Sequence, residues 1–479
     1  MIVPLGEWTP DIDSVTSQGL TVAENCVPSP EGYEQLRALE AVTGALSATC
    51  VGAAWFADSA GTTRVFAGDA TKLYQLSSTT WTDESKGGGY TGASNWEFVQ
   101  FGNRVIATDY ANAVQYFDMP TVSTVFADLP GSPPRARRIA VVGDFVVLGD
   151  INDGADKPNW IAWSGFNASE LWTPSLATQS DKQELFTGGA VQKIVGGAGS
   201  SAVVFQERAI KVLVYEGPPR IFRVDPVEES GTPAPNSVCV AGSKIAYYGW
   251  DGFAIFQLGA GSTVISDNKV TEWFQANCPD VTTLRGVADR EAQRFIWAFS
   301  SGGSTNDRVI IYDWSIGRWS YGKVTSEILF EFSTPGYNLD NIDSLVPDID
   351  AGTVSFDSRI WLGGSISVGG FDADHKAATF SGSPLTAVFE TGELSGGDGR
   401  LFITKARPLV TGYGGVTMQV ASRSTLAAQA SFGGASALNS AGEFTFRANA
   451  RWHKFRLTVT GGFTRAVGLD VSATAEGNR

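Results

Sequence analysis

RVFAGDATKLYQL, residues 64–76, returns as RVIATDYANAVQYF at residues 104–117. Looser echoes follow: DFVVLGD from Asp144, AVVFQERAIKVLVY from Ala202, KIAYYGWDGFAIFQL from Lys244, RFIWAFSSGGSTNDRVIIYDW from Arg294 and RIWLGGSISVGGFD from Arg359. Each is an apolar run, a small or acidic turn, and a second run ending near an aromatic. The starts are separated by 40, 40, 58, 42, 50 and 65 residues. A four-stranded unit repeating about every 40–45 residues marks a propeller or a related array.

Working outward, the first echo gains a strand before it (51–56) and one after it around Trp81. The second gains 96–101 and 123–126, and the sixth gains 284–288 and 318–321. The middle strands are nearly continuous apolar runs, as strands covered on both faces are. Longer intervals are filled by Pro-rich 229–236 and acidic, turn-rich 333–352, which read as surface insertions. The repeat fades after Gly382. Residues 385–390, 407–411, 416–422, 443–447 and 452–460 then read as strands, with Phe455, Leu457 and Val459 alternating with Arg456 and Thr458. Residues 1–46 do not repeat, and the stretch from Leu20 to Cys26 offers a short helix that Pro28 and Pro30 would end. The expected fold is therefore all-β: an N-terminal arm (1–46), a β-propeller of about seven irregular blades (47–382) and a C-terminal β-sandwich-like domain (383–479).

Composition agrees. Glycine, at 55 of 479 residues, is well above its usual ~7%, and 14 tryptophans supply large apolar bodies. No stretch approaches the ~18 consecutive apolar residues of a membrane helix. The N-terminus, MIVPLGEWTPDID, lacks the basic start and apolar core of a secretory signal, so synthesis and retention in a cytoplasm are expected. The net charge is −15, yet from Gly397 onward ten Lys/Arg stand against four Asp/Glu. That asymmetry divides a basic tail from an acidic body, and an acidic surface gains nothing from counterion release on DNA.

Catalytic signatures are scarce. There is no phosphate-cradling loop and no nucleophile elbow. Two isolated histidines, His375 and His453, and four scattered cysteines, Cys26, Cys50, Cys239 and Cys278, form no zinc spacing and read as reduced thiols. Asp69, Asp109 and Asp150 each follow an inner run, and a residue repeated unit after unit reads as a turn device rather than half of a glycosidase pair. DINDGAD, residues 150–156, clusters oxygen ligands but misses the EF-hand spacing. RARR, residues 135–138, reads as a charged loop entering a strand. The chain is expected to be non-enzymatic, with no cofactor and no metal.

LGEWTPD at residues 5–11, then GLTVAENCVPSPEGY at 19–33, resembles the lead-in of phage tail nozzle proteins, the tail hub or packaged-DNA stabilisation proteins of short-tailed phages. The resemblance implies a virion protein assembled in the host cytoplasm. It implies a self-assembled ring, usually of six subunits in this family, below the portal and adaptor. Such a ring extends the DNA channel, retains the genome until ejection and supports tail fibres or spikes, with non-specific passage of genomic DNA. The acidic loop 333–352, with Asp340, Asp343, Asp348 and Asp350, is then expected to face the channel. The alternative is a carbohydrate-binding or glycan-hydrolysing propeller acting as a receptor-binding protein.

Overall fold

A computed structural model describes residues 1–59, 61–119, 125–197, 199–333, 366–395, 397 and 399–476. Strands are the dominant regular structure of the described residues, with one α-helix, Thr271–Asn277. Five four-stranded sheets follow one another along the chain, within residues 52–83, 97–128, 135–184, 191–228 and 239–264. Four strands within 285–322 have the same order and open a ten-stranded sheet. A further four-stranded sheet combines Ile328–Ser333, Ile366–Phe371 and Lys376–Thr379 with Glu40–Ala45 from the other end of the sequence.

Within each run, chain neighbours pair antiparallel, so the echo seen in sequence is the second and third strand of a meander. One turn recurs. Phe101 pairs with Arg104, Val142 with Phe145, and Ala241 with Lys244, leaving two-residue loops that begin with Gly102, Gly143 and Gly242. These glycines have φ of 61°, 56° and 61°, the left-handed geometry that matches strand twist in tight hairpins.

The sheets face one another across apolar layers. Phe66 and Val105 share one layer between the first two sheets, Ile106 and Val146 the next, and Phe145 and Leu213 the third. Phe205 and Phe256 join the fourth to the fifth, Phe253 and Trp297 the fifth to the 285–322 strands. Ile296 and Leu329 lead on to the sheet of 328–379, whose Phe371 packs with Trp81 of the first, 5.6 Å between rings. The succession closes on itself: the fold is all-β and propeller-like. Six of the seven opening strands contribute to the wall of one central cavity, from Ala53 and Glu97 round to Arg285 and Leu329, and Asn236 and Val238 stand in it just before the opening strand of the fifth sheet.

The ends of the chain form the rest. Ala387–Thr391, Trp452–Thr460, Gly415–Arg423 and Ser436–Ala437 continue the ten-stranded sheet through Leu20–Glu24. Arg400–Thr411, Phe444–Ala450 and Arg465–Glu476 form a six-stranded sheet with Ile2–Pro4, Cys26–Ser29 and Gly32–Gln35. Both sheets share one core that includes Tyr33, Phe389, Met418, Phe455 and Leu469.

Three local expectations change. Leu20–Glu24 is a strand, not a helix, because it sits in a ladder opposite 388–391, with β-branched Val22 paired to Glu390. The last strand of the second sheet is Ala127–Asp128 rather than 123–126, of which 123 and 124 lie outside the described residues. RARR begins a strand, Arg135–Val142, in which exposed and buried positions alternate at first.

Candidate functional site

Asp69 shows what the repeated acidic position does. It is fully buried at the end of Thr63–Gly68, and its Oδ1 accepts from the Thr71 and Lys72 amides, both at 2.7 Å. Its Oδ2 accepts from the Tyr74 hydroxyl at 2.7 Å and the Ser47 hydroxyl at 3.1 Å. Burial pushes the carboxyl pKa up, but these donors more than offset it and hold it below its ordinary value. Asp109 takes the Asn112 amide at 3.0 Å. At the equivalent position Ser300 takes the Gly302 and Gly303 amides, and Asp372 takes those of Asp374 and Lys376. Sequence reading missed the last two, although each directly follows an apolar run in the echo, where a short polar side chain reaches its own turn.

Asp150 departs from this rule. It sits inside Phe145–Asn152, at a register shift between Gly149 and Ile151, with φ of 53°. It is a bulge residue rather than a turn residue. Its carboxylate lies 3.0 Å from Arg137, and burial pushes its pKa up to about 6. Nearby, Asp153 is held by Lys157 at 2.8 Å and Lys182 at 2.5 Å, while Asp156 accepts from Asn152 at 2.6 Å. The carboxylates of DINDGAD thus face donors, and among the described residues no His/Cys/Asp/Glu group is arranged to hold a metal ion. Asp340, Asp343, Asp348 and Asp350 lie outside the described residues.

All four cysteines are free and buried, and burial raises each thiol, Cys278 to about 11, so little thiolate forms at neutral pH. His453 is buried in the C-terminal sheets, its Nε2 2.9 Å from the Leu401 carbonyl and its Nδ1 2.8 Å from Ser422 Oγ. Burial lowers its pKa, and the two ring contacts fit a neutral imidazole donating from Nε2.

The lead-in segment concentrates the specific contacts. In LGEWTPD, Glu7 pairs with Lys269 at 2.7 Å, and Trp8 is fully buried, its ring 4.7 Å from Trp273 and 5.0 Å from Tyr321. Asp11 accepts from the Glu272 and Trp273 amides at 2.8 Å, capping the helix Thr271–Asn277 from a remote part of the chain. In GLTVAENCVPSPEGY, Asn25 has φ of 57°. Its Oδ1 accepts from the Lys323 amide at 2.7 Å, and its Nδ2 donates to the Thr386 carbonyl at 2.9 Å. One side chain therefore bridges the residue that follows the 285–322 run and the C-terminal tract. Glu24 accepts from the Tyr321 hydroxyl at 2.9 Å, and the Ser320 hydroxyl donates to the Cys26 carbonyl at 2.8 Å. At Gly32 (φ 152°) a Cβ would lie 2.1 Å from the Ala466 carbonyl oxygen, so only glycine fits that approach. Tyr33 is buried beside it and donates to the Gly6 carbonyl at 2.9 Å. The segment read as an arm is thus woven into both large sheets.

The basic tail is also changed by folding. Arg423 pairs with Glu393 at 2.7 Å, Arg456 and Lys454 with Glu390 at 2.6 and 2.9 Å, and Arg465 with Glu31 at 2.5 Å. Much of its excess positive charge is answered by glutamates that precede Gly397.

No protein-family model and no curated protein matches this chain. Among solved structures, the extracellular domain of a hybrid two-component system from B. thetaiotaomicron is similar over 83% of this chain, at 11% identity and a TM-score of 0.43. The match covers 44% of that structure's chain, so this protein spans less than half of its length.

Proposed function

We propose that this chain is a structural virion protein: a seven-bladed propeller, with Glu40–Ala45 closing the last blade, joined to a C-terminal β-sandwich-like domain. In this reading it forms the tail nozzle ring below the portal and adaptor of a short-tailed phage. The ring is a hexamer that continues the DNA channel, retains the genome until ejection and anchors fibres or spikes.

The observation that carries the reading is the use made of the lead-in. Trp8, Asp11, Asn25, Gly32 and Tyr33, from the segments that resemble the nozzle family, fasten the propeller-like body to the C-terminal sheets. A part that transmits load between portal and fibres needs such a rigid junction. The repeated acidic residues support it as well, since Asp69 and Asp109 are engaged by their own turns.

The test is native mass spectrometry and electron microscopy of the purified chain, alone and with a portal–adaptor complex, beside a glycan-binding screen. A closed cyclic ring in either preparation is expected. A chain that stays monomeric in both and binds a defined glycan saturably replaces this reading with the carbohydrate one.

A further inference from the structure

The central cavity is small, about 210 Å³, and among the described residues its charges do not balance. Glu97 is buried and its Oε1 meets Arg138 at 2.9 Å and Lys193 at 2.8 Å, while Oε2 accepts from the Ile139 amide at 3.3 Å. Arg285, on the cavity wall, donates to the neutral Asn95 side-chain oxygen and has Glu97 as the carboxylate in electrostatic reach. Three cations thus surround one carboxylate that two of them already occupy. Arg138 is only 7% exposed, and among the described residues its Nε has no hydrogen-bond partner. Buried charge of one sign, left unanswered, costs folding free energy unless something supplies the opposite charge.

We propose that this cavity binds a small tetrahedral oxyanion of the phosphate or sulfate type, held by Arg285 and Lys193 with Arg138 behind them. Size favours it. The volume is several times the ~30 Å³ of a water molecule. It is also below the roughly 300 Å³ at which pockets for drug-sized ligands begin, which suits a small ion better than a nucleotide or a sugar chain. Chemistry favours it too: a guanidinium-bearing and an ammonium-bearing residue on the wall of one space match an oxyanion's several acceptors. Burial, with Arg138 nearby, pulls the Arg285 pKa down to about 10, and a bound anion relieves that strain. The chain's −15 net charge makes this local positive field the more distinctive. The inference concerns the cavity alone and stands or falls independently of the nozzle reading.

The experiment is calorimetric titration of the full chain with inorganic phosphate and, separately, sulfate at pH 7, in a chloride background of matched ionic strength. Thermal unfolding is followed in the same buffers. The expected result is saturable one-to-one binding with Kd of about 1 mM or tighter and a midpoint that rises with phosphate but not with chloride. Arg285→Gln and Lys193→Gln each weaken binding about tenfold or more, the loss of one charge-assisted contact. Glu97→Gln, which removes the competing carboxylate, tightens it. Arg220→Gln, at an exposed position, leaves it unchanged. Should the Arg285 variant not fold, half-buried Lys193 carries the test by the same threshold. Absence of saturable heat, or equal affinity in the folded Arg285 or Lys193 variant and the parent, overturns the proposal and leaves the cluster as a clamp between neighbouring sheets.

Discussion

The second sheet and the six-stranded sheet are built by opposite means. In the second, every pairing lies between residues 97 and 128, each strand returning beside its predecessor. In the six-stranded sheet, Ile2 pairs with Asp470 and Tyr33 with Ala466. The first kind of sheet specifies itself from local turns. The second exists only once distant parts of the chain have met, so its stability depends on a few junction residues and its loop-closure cost is larger.

The sharpest way to break that contrast is Trp8→Ala. Trp8 is fully buried between Trp273, Tyr321 and the Thr21 carbonyl. Truncation should cost about 3–5 kcal/mol. Hydrogen exchange should quicken in Ala387–Thr391 and Thr271–Asn277 while the first two sheets keep their protection. Uniform loss across all sheets would show one cooperative block and erase the distinction.

A smaller effect probes the local side. Asp69→Ala leaves two turn amides and the Tyr74 hydroxyl without their acceptor, costing about 1–3 kcal/mol in urea unfolding. Asp372→Ala, at the equivalent but less buried position, should cost less. The reverse order would mean that the repeated turn is not the unit of stability.

Acid should move the C-terminal sheets and the third sheet in opposite directions. His453 has a lowered folded pKa, so the unfolded chain binds the extra proton, and stability of the C-terminal sheets falls as pH drops below about 6.5. Asp150 has a folded pKa raised to about 6, so the folded third sheet takes up a proton first and gains stability as pH falls from about 6 towards 4. Each contributes at most about 1.4 kcal/mol per pH unit within its window. Exchange rates at pH 7 and pH 5 read both, and His453→Gln should flatten the first trend alone.

The least effect belongs to the exposed Arg465–Glu31 pair, which also links the chain ends. Glu31→Gln should shift stability by no more than about 1 kcal/mol, vanishing at high salt. A larger change would move this surface contact into the class of Trp8.

These regions also differ in how far the sequence revealed them. The hairpins at 64–76 and 104–117 were legible because continuous apolar runs and turn chemistry act within a dozen residues. Arg465–Glu476 was missed although it is a twelve-residue strand. RAVGLDVSATAE has few large apolar groups, and its strand character comes from Arg400–Thr411 and Ile2–Pro4 on either side. Leu20–Glu24 was misread for the same reason, since its partners are remote. Of the lead-in, the motif was visible but not its work: nothing near Asp11 announces a helix that starts at residue 271. The cavity charges were equally hidden, because Glu97, Lys193 and Arg285 come from three different sheets and meet only when the ring closes.

Glu40–Ala45 gives that closure a timetable. It pairs with Lys376–Thr379, about 330 residues further on. At roughly 5–20 residues per second on the ribosome, its partner emerges about 15–70 s later. A strand edge left open that long invites pairing with other chains. EAVTGA suits the wait: a charge at its head, a glycine within it and no large apolar side chain make it a poor template for aggregation. The joint that completes the ring is therefore made from a segment that tolerates being kept waiting.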